Sequence, residues 1–147
     1  MLRCLGADVL GQLGFEEQCP FADEATPVLV ALLDDAEATV VSSALVALGH
    51  LGTGDCAGIC ALAGHESEEV RHSVAYCLGT RDEPVARQTL TLLSRDSDPD
   101  VRDWATFGLG TLSDFGQRRD TPRFGCAPER LGPGRSWRGD ARLTASA

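Results

Sequence analysis

A short pattern that recurs four times along the chain constrains the fold more than any other feature of the sequence. Each copy has an apolar residue at its start, a small or apolar residue four positions later, Leu at the eighth position and Gly at the ninth. We write these positions as 0, +4, +8 and +9. The copies begin at Leu2, Val40, Val70 and Val101, so that successive starts are 38, 30 and 31 residues apart. A period of this length predicts a repeat architecture, in which stacked units share one continuous core.

The spacing within each copy is typical of a helix with one buried face. Positions 0, +4, +8 and +11 lie on one stripe of a helix with about 3.6 residues per turn. Position +11 is Arg81 in the third copy and Leu in the other three. A further helical segment is predicted before each of the last three copies, from N-cap residues and from proline at the first helical position. These openings are Thr26-Pro27 before Val28 to Leu33, Asp55 before a segment to Ala63, and Glu83-Pro84 before a segment to Leu93.

A known family shares this arrangement. Acidic turns such as DDAEATVV and SRDSDPDVR are followed by VR, a small residue and LG.LG, and this pattern resembles HEAT repeats, specifically the short bacterial type of phycobilisome-lyase-like proteins. The resemblance covers residues 1–116. It implies an all-α fold, a right-handed α-solenoid of three to four helical pairs, in a bacterial protein.

The resemblance also implies a ladder of Arg and Asp side chains between neighbouring repeats. The matching residues are Asp35 and Asp96 in the turns, with Arg3, Arg71 and Arg102 just after the start of each copy. Val41 interrupts the Arg series and His65 interrupts the Asp series.

Both ends of the sequence depart from a complete solenoid. The first copy has no helical segment before it, so Leu2, Gly6 and Leu10 are predicted to lack a covering helix, and self-association through uncapped ends is expected. Residues 117–147, rich in Arg, Gly and Pro, are predicted to form an irregular tail, and two interpretations stay open: a disordered basic tail, or a shifted reading frame. Residues 114–147 hold seven Arg against four acidic residues, net +3, whereas residues 1–113 hold six against 18, net −12.

Composition excludes several classes of function. The formal net charge of −9 disfavours binding to nucleic-acid phosphates, because like charges repel. No apolar run reaches the roughly 18 to 20 residues of a membrane span, and the start lacks the order of a signal peptide. A cytoplasmic protein with six reduced cysteines is therefore expected.

Catalytic and metal-binding motifs are sparse. Deoxyhypusine hydroxylase, a di-iron enzyme built of similar repeats, resembles the pattern VRHE, but here His72 is followed by Ser73 rather than Glu. Cys56 and Cys60 are one helical turn apart, yet no second pair supplies the remaining ligands of a zinc site. We therefore predict no catalytic residue, no metal and no cofactor.

The side of each repeated helix opposite the core is the candidate binding surface. It is predicted to line the inner curve of the superhelix, with Cys4, Ser42, His72 and Asp103 at +2 and with Asp8, Val46, Tyr76 and Phe107 at +6. From this set, His72, Tyr76, Asp103, Phe107 and Val46 are predicted to bind a partner. Trp104, at +3, is predicted to be buried against the neighbouring repeat. The glycines at +9 either floor a groove or allow tight stacking of repeats.

The sequence thus favours a scaffold or adaptor that binds another protein and has no catalysis of its own. Three alternatives remain: a phycobilin-lyase-like enzyme, a deoxyhypusine-hydroxylase-like enzyme, and a non-functional fragment of a longer HEAT protein.

Overall fold

The structure, a computed structural model, describes residues 2–12 and 21–115 of the chain, and over these residues it is helical with no strand. The helices are α1 (Leu2–Gln12), α2 (Ala22–Ala31), α3 (Ala38–Leu51), α4 (Cys56–Ala61), α5 (Glu68–Leu78), α6 (Pro84–Leu93) and α7 (Pro99–Phe115). The predicted all-α fold is confirmed. The described part of the chain contains three helical pairs, α2–α3, α4–α5 and α6–α7. We call the two members of a pair its first and its second helix. Helix α1 precedes the pairs and corresponds to a second helix, because it carries the first copy of the sequence pattern.

The helices form two layers. The four second helices pack side by side in the order α1, α3, α5, α7, and each first helix packs on the second helix of its own pair. The first helices α2, α4 and α6 each contribute fully buried aliphatic side chains, namely Leu29 from α2, Ile59 from α4, and Leu90 and Leu93 from α6. The core therefore lies between the layers and runs the length of the stack.

The predicted apolar stripe is confirmed in the last three copies. Positions 0 and +4 are fully buried there, and their residues are Val40, Val70, Val101, Ala44, Val74 and Ala105. In the first copy Leu2 is 85% exposed and Leu10 is only partly buried.

Two of the predicted helix starts are confirmed. The Asp55 carboxylate accepts a hydrogen bond of 2.8 Å from the Gly58 N–H and so caps α4. Pro84 is the first residue of α6, where its fixed φ suits the helix and its missing N–H costs nothing. The helix after Asp55 ends at Ala61 and continues as a 3₁₀ turn over Leu62–Gly64.

The third start, at Thr26-Pro27, is wrong. Helix α2 begins at Ala22, so Pro27 lies inside it. The Thr26 hydroxyl does not cap a following helix, because it donates to the carbonyl of Ala22 one turn earlier, at 2.6 Å, and bonds to the Thr53 hydroxyl. Burial of Ala22 and Ala25 with Leu29 extends the helix upstream and outweighs the local signal of the proline.

Arg81 explains the one exception at position +11. Helix α5 ends at Leu78, and the buried Arg81 guanidinium donates to the carbonyls of Thr53 and Gly54 in the loop between α3 and α4. An apolar contact of the other repeats is replaced here by hydrogen bonds to the preceding repeat.

The predicted boundary at 116 and the predicted tail, residues 117–147, lie outside the described residues. None of the helices that the structure describes is long and apolar enough to span a membrane.

Candidate protein-interaction surface

The glycines at +9 set the distance between neighbouring second helices. A Cβ added to Gly11 would lie 3.0 Å from the Cα of Ala47, one on Gly49 would lie 3.3 Å from the Cα of Cys77, and one on Gly79 would lie 3.3 Å from the Cα of Gly108. In all three stacks the glycine at +9 meets the backbone of the residue at +7 in the next copy. Tight stacking is therefore the role of these three glycines.

The last glycine of the series differs. A Cβ added to Gly110 would meet no atom of the described residues within 4 Å, and Gly110 is exposed. The residue type is the same in all four copies, but only a glycine with a helix stacked on it is constrained by packing.

The Arg–Asp ladder implied by the resemblance is present. The Arg71 guanidinium binds both carboxylate oxygens of Asp96, through Nε at 2.8 Å and Nη2 at 2.9 Å. Its Nη1 also donates to the carbonyls of His65 and Glu66, so Arg71 joins two consecutive turns. The hydrogen bond from Arg71 is the main cause that lowers the pKa of Asp96.

The first rung is similar but more exposed. Arg3 on α1 contacts Asp35 at 2.6 Å and Glu37 at 3.1 Å. The pKa of Asp35 is lowered, chiefly because its carboxylate also accepts the Glu37 backbone N–H. The guanidinium of Arg102 donates to the carbonyls of Asp96 and Ser97, in the same way that Arg71 holds its own turn.

The interruption of the ladder has a structural compensation. Val41 takes the place of an arginine and is buried. His65 takes the place of an aspartate, and its Nδ1 accepts the Ser67 N–H at 3.0 Å, as Asp96 Oδ1 accepts the Asp98 N–H. The His65 imidazole thus stabilises the turn by the same hydrogen bond that an aspartate would accept. In this stack the buried side chain of Val41 takes the place of the ion pair.

Positions +2 and +3 pair across each stack of second helices. Cys4 contacts Ser43 at 3.0 Å, and the Ser42 hydroxyl bonds to the Ser73 hydroxyl at 2.8 Å. In the third stack the pair is His72 and Trp104, whose rings meet edge to face with centroids 5.5 Å apart. The prediction that Ser42 lines the open face is therefore wrong, because this hydroxyl is buried between α3 and α5.

Aromatic rings gather where α5 meets α7. Trp104 packs edge to face against Tyr76, with centroids 5.3 Å apart, and against Phe107, at 5.8 Å. The Tyr76 hydroxyl bonds to Nε2 of His50 on α3 at 2.9 Å, and burial raises the pKa of that hydroxyl. We call His72, Tyr76, Trp104 and Phe107 the aromatic cluster.

The cluster is open to solvent. Phe107 is 63% exposed and Trp104 is 37% exposed, while Tyr76 and His72 are half-buried. The prediction that Trp104 is buried is wrong, because the three rings that contact it leave 37% of its surface exposed.

The structure brings together three of the five predicted binding residues. His72, Tyr76 and Phe107 meet through Trp104. Asp103 is exposed beside Trp104 on α7, and Val46 is half-buried on α3, one turn before His50. Sequence reasoning missed the roles of Trp104 and His50. Helical spacing could have indicated both residues, because Trp104 lies three residues before Phe107 and His50 lies four residues after Val46, so that each shares a helix face with a predicted binding residue.

Two of the described thiols, Cys56 and Cys77, are held in their protonated form. Burial, with a contribution from the neighbouring Cys60, raises the pKa of Cys56 to about 12, and burial also raises the pKa of Cys77. A protonated thiol is a poor nucleophile and a poor metal ligand. Over the described residues, no three His, Cys, Asp or Glu side chains converge in a way that would hold a metal ion.

Comparison with known proteins assigns the repeats. A family model for HEAT repeats matches residues 26–110, which is more than half of the chain and includes α3 to α6 in full. No curated protein matches the sequence. The order of helices, the glycine contacts and the Arg–Asp ladder agree with this match, and the chain belongs to the HEAT-repeat family.

Proposed function

We propose that this protein is a scaffold or adaptor that binds another protein through the aromatic cluster, with Asp103 and Val46 at its margins. HEAT repeats are generally protein-interaction modules, and the observation that carries the proposal for this chain is the exposure of Trp104 and Phe107 within one cluster of rings. Aromatic side chains dominate binding energy at many protein interfaces, since each one removes a large apolar area from water.

The cluster is organised in advance of binding. Tyr76 is fixed by its hydrogen bond to His50, and Trp104 is held between His72, Tyr76 and Phe107. Side chains that are already ordered lose little conformational entropy when a partner binds. The surface therefore suits specific contact better than scattered exposed apolar residues would.

We further propose that the protein has no catalysis of its own and works in the cytoplasm. The four cysteines within the described residues, Cys4, Cys56, Cys60 and Cys77, are free thiols. Free thiols are typical of proteins in a reducing compartment, which supports this proposal. At the position where a di-iron HEAT enzyme would need Glu, the Ser73 hydroxyl is buried and bonded to Ser42, so this position serves helix stacking instead.

Site-specific photo-crosslinking tests the proposal. A benzoylphenylalanine residue is placed at Phe107 or, in a matched control, at Leu92 on α6, whose side chain is also exposed and apolar. In an extract of the source cell, position 107 is expected to give a discrete crosslinked protein that position 92 does not give, and Trp104→Ala should weaken the band. Equal crosslinking at both positions, or none at 107, would overturn the proposal. The melting temperature of each variant shows that the solenoid is intact.

A further inference from the structure

Three carboxylates share the face of the aromatic cluster. Glu69 lies three residues before His72 and seven before Tyr76 on α5, and Asp100 lies seven before Phe107 on α7. At these spacings the side chains project from one face of a helix. Asp103 lies between Asp100 and Phe107 on that face. All three carboxylates are exposed.

Five of the six arginines in the described residues are engaged elsewhere, among them Arg3 with Asp35, and the sixth, Arg95, is exposed in the turn after α6. Arg71 binds Asp96, Arg102 holds the carbonyls of its own turn, Arg81 is buried against the loop at 53–54, and Arg87 pairs with Asp82. Among the described residues, no salt bridge reaches Glu69, Asp100 or Asp103. The face therefore carries three exposed carboxylates that form no salt bridge with any described residue.

Exposed aromatic rings beside unneutralised carboxylates are complementary to one type of side chain. A guanidinium stacks on an aromatic face through cation–π attraction, and its planar fork donates two hydrogen bonds to one carboxylate. An ammonium is more strongly hydrated and offers no such fork. An acidic segment would be repelled by this face, as would a nucleic-acid backbone.

We infer that the aromatic cluster and its three carboxylates bind an arginine-bearing segment of a partner protein. The guanidinium lies against Trp104 and Phe107, and Asp103 and Asp100 accept its hydrogen bonds. This inference rests on the proposed function and names the chemistry of the partner. The net charge of −12 over residues 1–113 adds a long-range attraction for a basic segment.

Fluorescence anisotropy with three labelled peptides tests the inference on the full chain. The peptides share one sequence with two central arginines, which are replaced by lysine in the second peptide and by the neutral isostere citrulline in the third. The arginine peptide is expected to bind about tenfold more tightly than the citrulline peptide, with the lysine peptide between them. Affinity should fall as the salt concentration rises.

Matched variants locate the site. Asp103→Asn and Trp104→Ala should each weaken binding of the arginine peptide several-fold. Glu24→Gln on α2 and Leu92→Ala on α6 change an exposed carboxylate and an exposed apolar side chain of the other layer, and should leave binding unchanged. Equal binding of arginine and citrulline peptides, or equal effects of the site and control variants, would overturn the inference.

The chain itself supplies a competitor, because residues 118–142 contain seven Arg. The titration is therefore repeated with a variant in which these seven arginines are changed to Gln. That variant should also bind the arginine peptide more tightly than the citrulline peptide. A general gain in affinity for basic peptides does not count, because removing seven positive charges by itself strengthens their attraction. No binding by either form overturns it.

The two proposals fail in different ways. Crosslinking at position 107 without preference for arginine would leave the scaffold function standing and remove the inference. Arginine-selective binding without a cellular crosslink at 107 would remove the proposed scaffold function.

Discussion

At the scale of single residues, identical sequence positions have different structural roles. Gly79 and Gly110 both follow Leu at +8, yet Gly79 lies against Gly108 of the next helix and Gly110 lies in open space. The sequence predicts that glycine recurs, but the contact depends on which helix stacks on it. Spacing along one chain segment does not contain that information.

Alanine substitutions on α7 separate the two roles. A Cβ at Gly108 would lie 3.0 Å from the Gly79 backbone, so Gly108→Ala should lower the free energy of unfolding by about 1 to 3 kcal/mol through overpacking. Gly110→Ala should raise it by up to about 1 kcal/mol, because alanine favours the helix and meets nothing. Chemical denaturation measures both, and an equal loss of stability in the two variants would contradict the packing described for Gly108.

At the scale of elements, the ladder links two of the second helices, α1 and α5, to the turn of the following pair. Arg71 reaches from α5 to Asp96, in the turn between α6 and α7, and it also holds the turn before α5. The family resemblance located these residues correctly. It did not predict the role of His65, whose ring nitrogen accepts the Ser67 N–H and so stabilises the turn where the ladder is interrupted. No sequence motif identifies a histidine that acts as such an acceptor.

Removal of the ladder arginine should destabilise the fold more than removal of a surface arginine. Arg71→Ala deletes four hydrogen bonds and leaves the partly buried Asp96 without its partner, so a loss of about 1 to 3 kcal/mol in the free energy of unfolding is expected. Arg87→Ala, which breaks the exposed pair with Asp82, should cost less than about 0.5 kcal/mol. Equal losses in urea denaturation would show that the rung contributes no more than a surface ion pair.

The same rung predicts a pH dependence. The pKa of Asp96 is lowered in the folded state, mainly by the hydrogen bond from Arg71, so the unfolded chain takes up the proton first. The stabilisation is present above the unfolded value of about 3.9 and is lost as the pH falls through the lower folded value. The stability difference between wild type and Asp96→Asn should therefore be constant near neutral pH and shrink below about pH 4. A difference that persists unchanged at pH 2 would contradict this assignment.

Helix starts show where local sequence is sufficient and where it is not. Asp55 and Pro84 were predicted correctly because the capping signal and the apolar periodicity begin at the same place. At Thr26 the two signals conflict, and burial of Ala22 and Ala25 prevails. Trp104 was misplaced for a related reason, since its exposure depends on ring contacts with α5 that no spacing rule describes.

At the scale of the whole molecule, the sequence predicted the stack of helical repeats well, and it named three of the four residues of the aromatic cluster as surface residues. The repeat fixes which side of each second helix is buried, so the opposite side follows. The aromatic cluster arises from side chains on two helices, His72 and Tyr76 on α5 and Trp104 and Phe107 on α7, and His50 on α3 holds the Tyr76 hydroxyl. It forms only when the repeats are stacked. For this reason the sequence predicted individual residues of the cluster but not the contacts between them.

The two ends of the described stack are complementary in register. Within the stack a glycine at +9 meets the residue at +7 of the next helix, whereas Gly110 meets nothing and Val9, at +7 of α1, is 57% exposed. Leu5, one turn before Val9, is exposed as well. Between two copies of the chain, the same register would place Val9 of one copy against Gly110 of the other.

We therefore expect the 147-residue chain to self-associate head to tail, which is an open arrangement that grows with concentration. Sedimentation velocity over a range of protein concentrations should show a rising average mass. Val9→Glu should suppress that rise by placing a charge in the contact, and Gly110→Leu should suppress it by blocking the approach of the helix. Leu92→Glu, which adds the same charge to an exposed apolar position of α6, should leave association unchanged. A monomer at every concentration, or association that resists both end variants, would show that this register is not used between copies.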